Sequence, residues 1–256
     1  MATWDPTRYL SFADERSRPF AELLGRVDVK ASRIADLACG PGHLTALLRA
    51  RWPEATIEGV DSSAEMIERA TADNADPEVS YVRADLRDWT ADPPVDLVVS
   101  NAAYQWVPGH LELLPRLADQ VAPGGVFAFS VPGNFGEPSH LLLHALADTE
   151  PFVEHTRDRV RPGSHDAATY LDVFAGRGWE VDAWETTYLH VLSGADPVYA
   201  WLSGTGARPV LQALTDDLRT DFVRRLKTAL REAYPTHDWG TVLPFRRVFV
   251  VARRPS

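Results

Sequence analysis

Only one cysteine, Cys39, occurs in 256 residues, so no intrachain disulfide can form and a reducing compartment is expected. No apolar run approaches the ~20 residues of a membrane span, and the opening MATWDPTRYL lacks a secretory-signal pattern. The expected location is cytoplasmic. Basic residues are outnumbered, 26 against 36 acidic, and the net charge is −10. They are not clustered, so a nucleic acid would meet repulsion, and a small anionic substrate would need a locally positive pocket. The 8 histidines show no metal-ligand spacing, and there is no Gly-x-Ser-x-Gly elbow. Neither a metal site nor a serine hydrolase is expected. Repeats, low-complexity tracts and obvious linkers are also missing.

What the chain does have is alternation. Apolar, β-rich runs at Arg33–Leu37, Thr56–Val60, Val79–Val82, Val95–Ser100 and Val126–Val131 predict strands. Amphipathic segments at His43–Arg51, Ala64–Thr71 and Leu111–Val121 predict helices between them. Ser62 and Glu65 have capping-box spacing, placing a helix start directly after the second strand. Beyond a Gly/Pro-rich stretch at Pro132–Pro138, a helix is expected at Ser139–Ala147 and long strands at Trp179–Val191 and Arg246–Arg253. Pro197–Tyr234 is helical in period, broken by the loop Ser203–Pro209. The pattern predicts an α/β fold: a doubly wound, Rossmann-like, seven-stranded and mostly parallel sheet with helical additions capping the site. The whole of 1–256 reads as one domain, with an N-terminal helix within 5–28 (Tyr9–Leu24 by period) and a helical cap insert at about 195–235. Such sheets bind ligands at their carboxyl edge.

The most informative segment is Ile34-Ala35-Asp36-Leu37-Ala38-Cys39-Gly40-Pro41-Gly42-His43-Leu44-Thr45, a strand entering a glycine turn and then a helix. Gly40 and Gly42 allow positive φ and close approach of a flat ligand. Asp61 ends the next strand 19 residues after Gly42, where a carboxylate can accept from a ribose diol. A dinucleotide site would want glycine or alanine where Thr45 stands. It would also use backbone N–H groups that Pro41 lacks, and it would suffer from the negative charge of Asp36. That carboxylate suits a ligand carrying an ammonium group, a ribose and no phosphate. Cys39 reads as a small packed turn residue.

On these residues the chain resembles the class I S-adenosylmethionine-dependent methyltransferases. The resemblance implies S-adenosyl-L-methionine as cofactor and S-adenosyl-L-homocysteine as product. Asp36 through Gly42 is similar to the family's first motif, with Ala38 where a glycine usually stands. Asp61, with Ser62 beside it, would hold the ribose. Asp85 would accept from the adenine amino group, with the Leu86 N–H nearby. Asn101 through Trp106 would lie beside the methionine moiety, and Ala122-Pro123-Gly124-Gly125 would form the turn before strand five. Taken singly, Asp61 and Asp85 could also be a helix cap and a turn acid.

Further residues carry a closer likeness within that family: Trp4-Asp5-Pro6, Tyr9-Leu10, Phe12, Glu15 through Pro19, Gln105-Trp106, Glu180-Val181-Asp182 with Trp184, Thr186-Thr187-Tyr188, His190, Thr205-Gly206, Arg208-Pro209 and Phe249 through Arg254. They are similar to enzymes that methylate a carboxylate of trans-aconitate, which implies a small tricarboxylate substrate and a monomethyl ester product. A carboxylate is ionised at neutral pH, so no general base and no catalytic side chain are expected. Arg208 is the leading candidate to hold a substrate carboxylate, because a guanidinium can grip one in two places. Arg16, Arg18, Tyr188 and His190 follow, while Gln105, Trp106 and Tyr104 are candidates to line the methyl site. Arg16 and Arg18 could instead form surface ion pairs, Tyr188 and His190 could be ordinary strand residues, and Trp106 could fill core. Two other functions remain open: methylation of another small or carrier-bound acid, and cofactor binding without turnover.

Overall fold

Strand formation follows burial. The central runs are apolar at consecutive positions because both faces of a parallel sheet are covered; Leu97, Val98 and Val99 are all fully buried. The computed structural model describes residues 13–256, with side chains from residue 17 onward. Trp4-Asp5-Pro6, Tyr9-Leu10, Phe12 and the expected helix start at Tyr9 lie outside the described residues, as do the side chains of Glu15 and Arg16. In chain order the elements are α1 (Ala13–Gly25), β1 (Arg33–Leu37), α2 (Thr45–Arg51), β2 (Thr56–Asp61), α3 (Ala64–Asp73), β3 (Val79–Arg83), β4 (Val95–Asn101), a 3-10 turn at Tyr104–Trp106, α4 (His110–Ala118) and β5 (Val121–Pro132). There follow α5 (Pro138–Ala147), α6 (Val153–Thr156), α7 (Ala167–Ala175), β6 (Glu180–Leu192), α8 (Pro197–Ser203), α9 (Arg208–Ala213), α10 (Asp216–Ala233), β7 (Thr236–His237) and β8 (Gly240–Arg253).

The strand order is β3-β2-β1-β4-β5-β8-β6, with β7 paired to β8. β3, β2, β1, β4 and β5 run parallel, so their carboxyl ends share one edge. The expected doubly wound sheet is present, and its order reverses between β1 and β4. The chain divides into two compact units. One comprises the described residues up to Val131, with His165–Glu185 and Val248–Ser256. Its core includes Leu37, Val60, Phe127, Phe129, Tyr170, Phe174 and Val250. The other comprises Pro132–Ser164 and Thr186–Arg247. Within it Phe152 and Phe222 are fully buried and meet edge to face at 5.0 Å. No helix among the described residues is long and apolar enough to cross a membrane.

Several boundaries differ from expectation for local reasons. α2 begins at Thr45 instead of His43, because the glycine turn continues to that point through a bond from the Thr45 N–H to the Gly42 carbonyl at 3.1 Å. The cap of α3 is Ser63, not Ser62: its hydroxyl accepts from the Met66 N–H at 3.3 Å and donates to Glu65 at 2.7 Å. β5 starts at Val121, where helix and then turn were expected, because Val121 already pairs with Val95 and residues 122–125 form an irregularity inside the strand. Gly125 is required there, since a Cβ would stand 2.7 Å from the Asp96 carbonyl. α7 and the β7–β8 hairpin were not expected. The first carries an ordinary signal, Asp166 capping through the Thr169 N–H at 2.8 Å and burying Tyr170 and Phe174 one turn apart.

Candidate active site

The glycine turn leaves β1 where the strand order reverses, the place at which an open α/β sheet has a crevice. Ala38, Gly40 and Gly42 all have positive φ, at 58°, 57° and 76°. Ala38 therefore occupies a conformation that glycine adopts without strain, which explains why a glycine suits the position. Ala102, just past β4, is likewise at φ 57°. The turn uses its own donors. The Cys39 N–H bonds to the Val60 carbonyl at 3.0 Å, Gly40 to an Asp61 carboxylate oxygen at 3.0 Å and Gly42 to the Cys39 carbonyl at 3.3 Å. With Pro41 offering none, these positions leave no N–H cradle for a pyrophosphate.

What the turn does leave is negative charge. Asp36 is 3% exposed, and its Oδ2 has no hydrogen-bond partner among the described residues. Burial, and secondarily the charge of Asp61, push its pKa up to about 7. Asp61 is also raised by burial, against the opposing effect of the Ser63 and Gly40 N–H groups it accepts from, at 2.9 and 3.0 Å. Two neighbouring carboxylates, one with an orphaned oxygen, form a site for a cation. Tyr81 braces the turn from the β3 side, its hydroxyl donating to Thr45 at 3.2 Å. Glycine at 42 and 59 is needed there, because a Cβ at either would come within 2.5 Å of the Tyr81 side chain. Burial likewise raises the Cys39 thiol well above its usual range, which fits a packed residue and not a nucleophile.

The other expected cofactor residues follow the same edge. Asp85 accepts from the Arg87 N–H and Nε, both at 2.9 Å, and from the Arg87 Nη2 at 2.6 Å. Its half-buried carboxylate thus holds a turn and retains limited capacity for a further donor. Leu86 is buried, and Ser62 is exposed beside the α3 cap. Asn101 accepts from the Ser130 hydroxyl at 2.7 Å. Gln105 is buried, its Nε2 on the Ala102 carbonyl at 2.5 Å and its Oε1 without a partner among the described residues. Trp106 is half-buried. Tyr104 is corrected: it is fully buried, edge-on to Phe129 at 5.2 Å and stacked on Phe127 at 6.4 Å, and so fills core instead of lining a methyl site.

The residues expected on the acceptor side divide. Arg18 forms an i,i+4 pair with Glu22 at 3.0 Å on an exposed helix face, while the side chain of Arg16 is outside the described residues. In the second unit Tyr188 and His190 share one face of β6 with ring centroids 6.1 Å apart; His190 packs on Trp201 at 4.9 Å and on Phe245 at 5.7 Å. Arg208 begins α9, half-buried, with its N–H on the Thr205 carbonyl at 3.1 Å. The loop before it is seated on His140: a Cβ at Gly206 would lie 2.9 Å from the imidazole Nε2. Burial pushes His140 down to about 4, so it is neutral. The sequence reading missed Arg247 and Asn134, exposed by only 4% and 2%. Strand alternation would have placed Arg247 on the face of Phe245, over whose ring its guanidinium lies at 5.8 Å. Among the described residues, no group of three or more His, Cys, Asp or Glu could hold a metal ion.

A ligand with an ammonium group, a diol and no phosphate matches the orphaned Asp36 oxygen, the Asp61 carboxylate and the internally consumed N–H groups. Comparison with known proteins agrees. Residues 34–125 match the family model described as a methyltransferase domain. A trans-aconitate 2-methyltransferase of Streptomyces avermitilis is 49% identical over 99% of this chain and 98% of its own. That of Rhodococcus jostii is 48% identical over 98% of this chain and 99% of its own, and that of Mycobacterium tuberculosis 46% over 97% and 96%. Among solved structures, an S-adenosylmethionine-dependent methyltransferase from Mesorhizobium loti aligns with TM-score 0.53 at 20% identity, covering 91% of this chain and 96% of that one. A Haemonchus contortus phosphoethanolamine N-methyltransferase bound to S-adenosyl-L-methionine aligns with TM-score 0.57 at 15% identity, covering 93% and 53%.

Proposed function

Because the chain belongs to the trans-aconitate 2-methyltransferase family of S-adenosylmethionine-dependent enzymes, we propose that its acceptor is trans-aconitate and its product a monomethyl ester. The observation that carries this reading is the extent of the likeness, which covers 99% of the chain and so includes the segments beyond the methyltransferase-domain match. When bound, the cofactor supplies a sulfonium methyl group, so an O–C bond forms at one carboxylate oxygen as the C–S bond breaks, leaving S-adenosylhomocysteine.

The chain's own work is binding, orientation and exclusion of water. The acceptor oxygen is ionised at neutral pH, so no side chain need remove a proton. Asp36 receives the ammonium group, which neutralises a buried charge that otherwise destabilises the site. Asp61 keeps lone pairs for the ribose hydroxyls beyond the two taken by backbone N–H groups. Asp85 and the Leu86 N–H serve the adenine, Ala38, Gly40 and Gly42 shape the turn, and Ser62 and Asn101 border it. On the acceptor side Arg208, Tyr188 and His190 supply countercharge and hydrogen bonds within the helical stretch of about 195–235 and the strand before it. Arg16, Arg18, Gln105 and Trp106 are the remaining contributors. Holding the oxygen in a near-attack position, roughly 3–3.5 Å from the transferred carbon, is a large source of acceleration in such a transfer. A cytoplasmic setting, and small molecules but no nucleic acid as partners, go with this reading.

The test is product identification. Incubation with S-adenosylmethionine and trans-aconitate should give an acid one methylene heavier, with a methyl-ester proton resonance that disappears after mild base. An ester formed only on a different acid would overturn the acceptor assignment.

A further inference from the structure

The histidine that opens α4 has no part in the proposed function, yet both of its ring nitrogens are engaged. His110 is 5% exposed and follows Gly109, whose φ of 71° turns the chain into the helix. Its Nδ1 lies 3.1 Å from the Val107 carbonyl and its Nε2 2.8 Å from the Tyr170 hydroxyl on α7. Burial lowers its pKa, outweighing the Val107 carbonyl and aided by His165, so the ring is neutral at neutral pH. A carbonyl oxygen only accepts, so Nδ1 carries the hydrogen and Nε2 the lone pair. The Tyr170 hydroxyl therefore donates to Nε2, and its oxygen accepts the His165 N–H at 3.2 Å. Reversing any bond in this chain would set two donors or two acceptors face to face inside the protein.

What the chain holds is the 3-10 turn. The Val107 carbonyl, just past Trp106, also accepts the His110 backbone N–H at 3.2 Å, so residue 110 closes the segment twice. Inside it the Trp106 N–H bonds to the Ala103 carbonyl at 2.9 Å and the Val107 N–H to the Tyr104 carbonyl at 3.0 Å. The Tyr104 ring stacks with the His110 imidazole at 6.4 Å. At the other end the segment is tied to the sheet. The Ser100 hydroxyl donates to the Leu37 carbonyl and the Ala102 N–H to the Ser130 carbonyl, both at 2.8 Å. The turn carrying Gln105 and Trp106 thus starts beside the end of β1 and finishes on His110.

We propose that His110 is a positioning residue for methyl transfer: held as the Nδ1–H tautomer by Tyr170, it fixes the Tyr104–Trp106 turn so that Gln105 and Trp106 border the transferring methyl. This rests on the reading of that turn as part of the methyl site. Its effect falls on the rate of transfer, because the carboxylates assigned to the cofactor, Asp36 and Asp61, lie on other elements. A shift of about 1 Å at such a wall costs roughly a hundredfold in rate.

The experiment uses the full chain and the variants His110→Asn and His110→Gln. An asparagine amide reaches the place of Nδ1 and keeps the donation to Val107, whereas a glutamine amide reaches the place of Nε2 and keeps only Tyr170. The readings are kcat with trans-aconitate, KM for S-adenosylmethionine and the dissociation constant of S-adenosylhomocysteine. The glutamine variant should lose about ten- to a hundredfold in kcat and the asparagine variant less than about threefold. Both cofactor constants should stay within about twofold of parent, which also reports that the variants fold. A loss in the asparagine variant as large as in the glutamine one, a loss matched in S-adenosylhomocysteine affinity, or a parent-like kcat in both would overturn the proposal. A parent-like kcat in Gln105→Ala would sink the reading of the turn as methyl site, and this assignment with it. If the unsubstituted protein leaves trans-aconitate unmethylated, the acceptor reading alone falls. The hold on the turn is then read from amide hydrogen exchange at Trp106 and Val107 in the S-adenosylhomocysteine complex. Exchange should be faster than parent in the glutamine variant and parent-like in the asparagine one, and equal exchange in the two would overturn the proposal.

Discussion

Replacing Asp36 by asparagine should stabilise the ligand-free protein while weakening its hold on the cofactor, and both effects should depend on pH. The carboxyl is buried with one oxygen unpartnered among the described residues, and burial followed by the charge of Asp61 raises its pKa from 3.8 to about 7. Between those two values the folded chain retains a proton that the unfolded chain has lost. Stability contributed by this group is therefore greatest at acidic pH and falls as pH rises through the window. At roughly 1.4 kcal/mol per tenfold, the full penalty above about pH 7 is on the order of 4 kcal/mol, an upper bound because an amide in the same place is also imperfectly satisfied. For a chain of this size, each 1 kcal/mol moves Tm by about 2–4 °C. Thermal unfolding of Asp36→Asn and parent, both ligand-free, should thus give nearly equal Tm at about pH 4 and a variant several degrees more stable at about pH 8. S-adenosylhomocysteine should show the opposite order. Loss of a charge-assisted bond of about 1.5–3 kcal/mol weakens binding by roughly ten- to a hundredfold, and parent affinity rises up to about pH 7 while variant affinity stays flat. A Tm difference independent of pH, or unchanged affinity, would refute the assignment of a buried, ammonium-binding carboxylate.

Asp61→Ala should cost at least about tenfold in S-adenosylhomocysteine affinity, because it frees the Gly40 and Ser63 N–H groups as well as removing the ribose acceptor. By removing a neighbouring negative charge it should also lower the pH at which Asp36 titrates, which the same pH series reads. Ala38→Gly relieves a left-handed alanine and should raise Tm by a degree or two, or leave it level, with cofactor affinity retained; clear destabilisation would mean the methyl group packs usefully. Arg208→Ala should raise the acceptor KM by about tenfold and leave the cofactor KM near parent, and an effect confined to the cofactor would move Arg208 out of the acceptor site.

How much was legible in the sequence follows from what kind of signal each element carries. β1, β2, β3 and β4 could be read to within a residue because parallel strands buried on both faces appear as unbroken apolar runs. The cofactor edge was equally legible: glycine, proline and acid at fixed spacing have backbone consequences that hold in any context, as the φ values of Ala38, Gly40 and Gly42 illustrate. β8 was read short because Gly240 and Pro244 look like strand breakers, whereas in the fold Gly240 turns a hairpin at φ 131°. α7 was overlooked although Asp166 announces it. Tyr104 was misplaced because an aromatic beside a motif reads the same whether it faces ligand or core, and only the packing against Phe127 and Phe129 decides. Arg247 escaped because an arginine pair within a strand suggests solvent, although alternation along β8 places it on the face of Phe245.

The assignment of trans-aconitate as acceptor can be put to one measurement, the specificity constant of the unsubstituted protein for trans-aconitate set against cis-aconitate, isocitrate, citrate and a medium-chain fatty acid under one set of conditions. Sites built around buried polar contacts reject acids that leave those contacts unmade, so kcat/KM for trans-aconitate should exceed every other by at least about a hundredfold. Comparable values across the acids, or a preference for the fatty acid, would contradict trans-aconitate as the acceptor.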